Sequence, residues 1–223
     1  MYFSRIVLRG ETASTGRLTW LLGGDGYRLH QMLWRLFPHR EARDFLYRQV
    51  LDQSWPTFYV ISDSPPVDGD GLWRLQVKDY HPELEVGERL AFSLCANPVV
   101  SRRREMNGRK QVIRHDVIMD AKHRCRSQGE DVADHARLVQ EVGASWLAAR
   151  GENRGFRLEG VRVDGYRQHR FFKGRGVSPI RFSTVEFNGV LTVMDPDAFR
   201  ETLLHGLGPA KGFGCGLMLV RRC

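Results

Sequence analysis

The chain has 223 residues, enough for one large domain or two small ones around a buried core. A hydrophobic content of 42% and a charged content of 27% exclude a disordered polymer, and no run of roughly 18 apolar residues offers a membrane-spanning helix. Basic side chains number 34 against 26 acidic ones, and the excess is uneven: residues 1–87 carry 10 basic and 11 acidic groups, residues 88–223 carry 24 and 15.

The elements are read in chain order. Phe3 to Leu8 alternates loosely around Phe3, Ile6 and Leu8 and reads as a strand. Glu11 to Gly26 is a Gly-, Ser- and Thr-rich loop. Tyr27 to Phe37 places Leu29, Leu33, Leu36 and Phe37 at helical spacing, with Asp25 as N-cap and Pro38 as the stop. Phe45 to Leu51 and Thr57 to Ser62 read as two strands, and Pro65 to Gly71 has room for one helical turn at most. Trp73, Leu75 and Val77 alternate with Arg74, Gln76 and Lys78, a half-buried strand. After the His81–Gly87 link, Leu90, Phe92 and Leu94 begin a new strand that ends at Asn97-Pro98. Ser101 to Gly129 is basic and poor in apolar residues and reads as loop or hairpin. Asp131 to Arg150 carries one apolar stripe and is ended by Gly151, a helix. Two strands follow, about Val161 to Phe172 and Val177 to Phe187, and Asn188-Gly189 reads as a hairpin turn into Val190 to Met194. Pro196 opens a helix, and Leu217 to Arg222 is the last strand.

Each half thus follows a β-α-β-β-α-β order, weakly at the second helix of the first half. The fold class is α+β: two tandem ferredoxin-like, RRM-like βαββαβ domains, residues 1–84 and 88–223, with a glycine-rich loop near the C-terminus. The start of the chain lacks the apolar block and small-residue site of a secretory leader. The four cysteines, Cys95, Cys125, Cys215 and Cys223, make no C-x-x-C pair, which suits a reduced, cytoplasmic setting. His123 and Cys125 lack a second ligand pair, so no metal and no cofactor is expected.

Three constellations carry chemistry. Tyr27 and His30 stand at i and i+3 of the first helix, where one ligand atom could meet both. Histidine, with its pKa near neutrality, suits acid or base work on a 2′-hydroxyl and a phosphodiester; the competing reading is a surface pair without function. Five glycines fall between Gly206 and Gly216. Around Lys211, the glycines Gly208, Gly212 and Gly214 would let backbone amides approach a polyanion, or simply permit a tight loop. Arg167, Arg170, Lys173 and Arg175 form a basic hairpin fit to clamp an RNA backbone or enter a groove. Arg102, Arg103 and Arg104, with Arg109 and Lys110, read as a mobile arm on phosphates. An arginine-rich half points to nucleic acid, a solvated surface being the competing reading.

Several segments together resemble the CasE family, the CRISPR repeat-RNA endoribonuclease of the type I-E Cascade complex. They are Phe3-Ser-Arg-Ile-Val-Leu, Tyr27-Arg-Leu-His30-Gln-Met-Leu-Trp34 through Pro38, Phe92 to Pro98, Phe187-Asn-Gly-Val-Leu191, and Gly206-Leu-Gly208-Pro-Ala-Lys211 with Gly214-Cys-Gly216-Leu217. The resemblance implies metal-independent cleavage at the 3′ base of a repeat stem-loop, with a 2′,3′-cyclic phosphate as product. By it, His30 is the main catalytic residue and Tyr27 assists. The hairpin around Arg167 to Arg175 takes the place of the family's groove-inserting hairpin. The partners implied are the CRISPR repeat RNA stem-loop and other Cascade subunits, with no membrane. The alternative is a non-catalytic RNA-binding subunit of a ribonucleoprotein with the same fold, which would have no use for Tyr27 and His30.

Overall fold

The structure, a computed structural model, describes residues 1–10, 26–38, 43–52, 55–106, 109–129, 134–171 and 178–223. Strand β1 (Tyr2–Leu8), helix α1 (Gly26–Trp34) and strands β2 (Phe45–Asp52), β3 (Trp55–Ser62) and β4 (Trp73–Asp79) build the first sheet. Its order is β2-β3-β1-β4, all antiparallel, the arrangement a split βαβ connection produces. Alternation does the sorting. Ile6, Leu8, Phe58, Val60 and Trp73 are buried on one face, where Leu33, Leu36 and Phe37 close over them. The anticipated N-cap Asp25 lies outside the described residues, and α1 gives way to turns before Phe37. Residues 65–71 hold no helix. Neither Pro65 nor Pro66 can donate an N–H, and the Asp68 carboxylate accepts the Leu72 and Trp73 amides instead, at 3.1 and 2.9 Å.

The second sheet has the same plan with an insertion. Strand β5 (Arg89–Ala96) leads into a separate hairpin, β6 (Val99–Met106) and β7 (Arg109–Asp116), and helix α2 (Val117–Ser127). Helix α3 (His135–Gly151), strands β8 (Phe156–Phe171) and β9 (Ile180–Val193), helix α4 (Pro196–His205) and strand β10 (Met218–Arg222) complete it, in the order β10-β5-β9-β8. The region read as loop or hairpin is therefore a hairpin plus a helix. Asp116 makes the helix by accepting the Ile118 and Met119 amides at 2.8 and 2.9 Å. Helix α3 starts at His135, with Asp134 accepting the Arg137 amide; the expected start, Asp131, lies outside the described residues.

The Asn188-Gly189 hairpin is not formed. Both residues sit inside β9, paired with Ser93 and Phe92 of β5. Glycine is needed there for closeness, not for a turn: a Cβ on Gly189 would run into the Gly160 carbonyl oxygen, where β8 bulges. Ser93 Oγ donates to Asn188 Oδ1 at 2.7 Å, which spends the asparagine on the ladder.

The two sheets meet through the face of the first that α1 does not cover. Leu46 and Ile61 are buried against Leu217, with Phe3, Tyr59, Tyr80, Leu204 and Leu219 alongside. Burial raises the Tyr80 phenol to about 12. Arg48 of β2 reaches Glu186 of β9 at 2.8 Å, with its own side chain only 7% exposed. The chain returns from α4 to β10 through the glycine-rich loop, which closes on itself by a bond from the Leu207 amide to the Gly216 carbonyl, 2.9 Å, and on β5 by one from the Gly216 amide to the Cys95 carbonyl, 2.8 Å.

Candidate functional site

Helix α1 carries positions 27 and 30 one turn apart. The His30 ring is half-buried in an aromatic recess. Trp34 of the same helix meets it edge-on at 5.6 Å between centroids. Phe45 and Tyr47 of β2 stack on it at 6.3 and 6.4 Å. Phe213 of the glycine-rich loop approaches at 6.5 Å. Nδ1 is buried with no hydrogen-bond partner among the described residues. An imidazolium would need to satisfy an N–H there, so burial, and then the nearby Arg43 charge, lower the His30 pKa. Both causes favour the neutral imidazole over the imidazolium. The Tyr27 side chain lies outside the described residues.

The glycine-rich loop forms the far wall. Lys211–Phe213 is a single 3-10 turn, entered through Ala210 at φ 59° and left through Gly214 at φ 81°. Tyr47 donates its phenol proton to the Gly212 carbonyl at 3.2 Å, tying the loop to the first sheet. Its phenol is pushed well up by burial. The three predicted glycines have different surroundings. A Cβ on Gly212 would stand 3.8 Å from His30 Cε1, and Gly208 is beside the Asn97 carbonyl and Trp146. Gly214 is buried, with Tyr47 Cε2 at 3.1 Å from the same probe atom. Lys211 donates to the His205 carbonyl at 2.6 Å, closing the end of α4. Burial, and then Arg43 and Arg154, lower its pKa.

The basic groups line the second sheet. Arg167 and Arg170 are exposed on β8, and Arg170 stands opposite Arg181 in the ladder with β9. Lys173 and Arg175 lie outside the described residues. Arg102 and Arg103 are exposed on β6, in the β6–β7 hairpin; Arg102 pairs with Asp120 of α2 at 2.6 Å. The Arg104 side chain lies outside the described residues. The base of the arginine ribbon is aromatic: His169 stacks on Phe182 at 4.9 Å, and Phe182 and Phe171 reach Phe213 at 5.0 and 5.5 Å. Phe213 therefore joins the ribbon to the His30 recess, and one polyanion crossing it would touch both.

Sequence reading missed Tyr47, Phe213 and Arg43. The first two looked like strand and loop aromatics, and only tertiary contact brings them to His30. Arg43 Nη1 is buried without a hydrogen-bond partner among the described residues, and burial lowers its pKa. A half-buried guanidinium with one orphaned nitrogen beside a histidine is costly for stability and useful for holding an anion. Among the described residues no group of three His, Cys, Asp or Glu side chains is placed to hold a metal.

A family model described as CRISPR associated protein matches residues 1–222. The chain is 33% identical over 199 residues to the CRISPR system Cascade subunit CasE of Escherichia coli K12, covering 87% of this chain and 90% of that one. It is 29% identical over 202 residues to the CRISPR-associated endoribonuclease Cse3 of Thermus thermophilus, covering 85% and 79%. The crystal structure of Cas6e from E. coli K-12 superposes with a TM-score of 0.67 at 26% identity, over 100% of both chains. Thermus thermophilus Cse3 bound to an RNA representing a pre-cleavage complex gives 0.66 at 25% identity, over 99% of this chain and 98% of that one.

Proposed function

Because the chain belongs to the CRISPR-associated protein family matched over residues 1–222, we propose that it is an endoribonuclease of CRISPR precursor RNA. It cuts at the 3′ base of the repeat stem-loop and stays on the mature guide RNA as a Cascade subunit. The observation that carries this reading is the junction at Phe213, which sets a half-buried, neutral histidine at the foot of an arginine-bearing ribbon. The names of the relatives, a Cascade subunit and an endoribonuclease, and the RNA held by one of the solved structures support it.

The chemistry needs a base, an acid and a place for the phosphate. Neutral His30 accepts the proton of the 2′-hydroxyl through Nε2 as that oxygen attacks the adjacent phosphorus. The 5′-oxygen leaves and takes a proton, and a 2′,3′-cyclic phosphate remains. Tyr27, three residues earlier on α1, positions the phosphate or protonates the leaving oxygen. Charge on the phosphate offsets the positive field of Arg43, so the imidazolium formed in the step costs less than in the free protein. One positioned base contributes about 10² to 10⁴ in rate. Arg167 and Arg170, together with Lys173 and Arg175, hold the stem, and Lys211 adds charge at the loop. The two sheets, with their separate cores, are taken as domains at residues 1–84 and 88–223. The setting is taken as cytoplasmic; among the described residues no helix is long and apolar enough to cross a membrane.

The test is cleavage of a repeat stem-loop in EDTA by the wild type and by His30→Ala. We expect a cut with a cyclic-phosphate end from the first and a loss of at least about 10²-fold from the second. A cut that survives the substitution, or one that requires Mg²⁺, overturns the mechanism.

A further inference from the structure

Beyond the His30 recess, on the other side of Phe213, lies a groove of about 900 Å³ between the β8–β9 ribbon, the β6–β7 hairpin and the glycine-rich loop. Apart from Arg170 and Phe213, its lining takes no part in the steps proposed above. Its walls carry the three kinds of group that a single nucleotide needs. Phe182 and Phe213, 5.0 Å apart, offer an aromatic edge. Asn97 lines it too, 6% exposed, with its Oδ1 turned inward, buried and without a hydrogen-bond partner among the described residues, so that a turn of the side chain toward a donor in the groove costs no existing bond of that oxygen. Arg114 and Arg181 line the same space and are exposed.

Two further features show a built site and not a gap. Asp116, the carboxylate in this wall, is fully engaged: it caps α2 and accepts the Tyr166 hydroxyl at 3.0 Å and the Ser183 hydroxyl. Four donors of this chain thereby hold its two oxygens, which opposes an incoming phosphate less than a free carboxylate would. Ala210, also in the wall, holds φ at 59°, the only positive value at a non-glycine among the described residues. Strain of that kind collects where a backbone is shaped for a ligand.

We propose that this groove takes the first unpaired nucleotide on the 3′ side of the cut, with its base on the Phe182–Phe213 edge and, once the Asn97 side chain turns into the groove, a base N–H donated to its Oδ1. Its phosphate then lies on Arg114 and Arg181. The proposal rests on the endoribonuclease reading, since it needs a phosphodiester at His30 from which the strand continues past Phe213. All four bases have a π-face and an N–H group, so the site selects for the presence of a base more than for its identity. It also gives the Asn97-Pro98 motif a use: the segment that ends β5 places an amide in the groove wall. Docked this way, the nucleotide anchors the strand on the leaving side and holds the scissile bond extended across the His30 recess.

The test measures binding, by fluorescence anisotropy, of stem-loop RNAs made uncleavable by a 2′-deoxy sugar at the cut. One RNA has its natural 3′ flank, one has an abasic residue at the first flanking position, and one ends at the stem. For the wild type we expect the abasic RNA to bind about tenfold more weakly than the flanked one. That ratio should fall to about two or less in Phe182→Leu, which keeps an apolar side chain, and in Asn97→Ser, each checked for folding by its melting curve. Equal binding of the flanked and abasic RNAs by the wild type overturns the proposal, as does a ratio that persists in both variants. Failure to bind even the stem-only RNA overturns the endoribonuclease reading along with it, whereas stem binding without any gain from the flanking base overturns this proposal alone.

Discussion

The ion pair between the sheets invites an asymmetric test. Arg48 is 7% exposed and Glu186 39%, at 2.8 Å. The bond comes from Nη2, and Nε and Nη1 of Arg48 are buried with no hydrogen-bond partner among the described residues. Replacing Glu186 with Gln leaves a guanidinium in the seam without its anion. Breaking a fully buried pair costs about 3–5 kcal/mol. The half-exposed carboxylate here is partly screened, which brings the expectation to about 2 kcal/mol. For a chain of 223 residues that is a fall of about 4–8 °C in Tm. Arg48→Met should behave differently. The methionine keeps the apolar stem in the seam, and the abandoned Glu186 turns to water, so the cost should stay below about 1 kcal/mol. Urea unfolding followed by tryptophan fluorescence gives both numbers. If Glu186→Gln is unchanged within about 0.5 kcal/mol, or if Arg48→Met is the worse of the two, the uncompensated-charge reasoning is wrong.

Other perturbations probe the loop, the ribbon and the histidines. Gly216→Ala places a Cβ 2.6 Å from the Leu207 carbonyl oxygen at φ 94°; it should cost about 2 kcal/mol or more, read as lower Tm and less soluble protein. Arg167→Gln removes an exposed contact on β8 and should reduce the slope of log affinity against log salt by about one, with equal loss for unrelated stems. His30 and His169 both have lowered pKa values, mainly from burial. The unfolded chain then binds more protons than the folded one below about pH 6.5, so this stability is complete above that pH and is lost as pH falls through the folded values. Chemical unfolding at pH 7.5 and 5.0 should show the loss, and Tyr47→Phe, which deletes the bond to Gly212, should lower stability by about 1 kcal/mol at both.

Much of the fold was legible because burial alternates along single strands. Ile6 and Leu8, Leu90, Phe92 and Leu94 are buried where their spacing placed them. What failed was local preference overruled from a distance. Asn188-Gly189 has the composition of a turn, yet β5 and the bulge of β8 hold it straight. Helix α2 was illegible because only Ile118 and Ala121 of its eleven residues are buried, too few to draw a stripe. His30 stood out through residue chemistry and helical spacing, but its recess did not. Trp34 is on the same helix, while Tyr47 and Phe213 arrive from β2 and from the distant loop. Pairings between residues far apart in sequence leave no period to read.

The seam at Phe213 also sets an order of events during synthesis. The imidazole leaves the ribosome early, whereas the ring that closes its recess and the Gly212 carbonyl that holds Tyr47 are made near the other end of the chain. A nascent first sheet therefore displays its histidine in an unfinished setting, with one side of its aromatic recess still open.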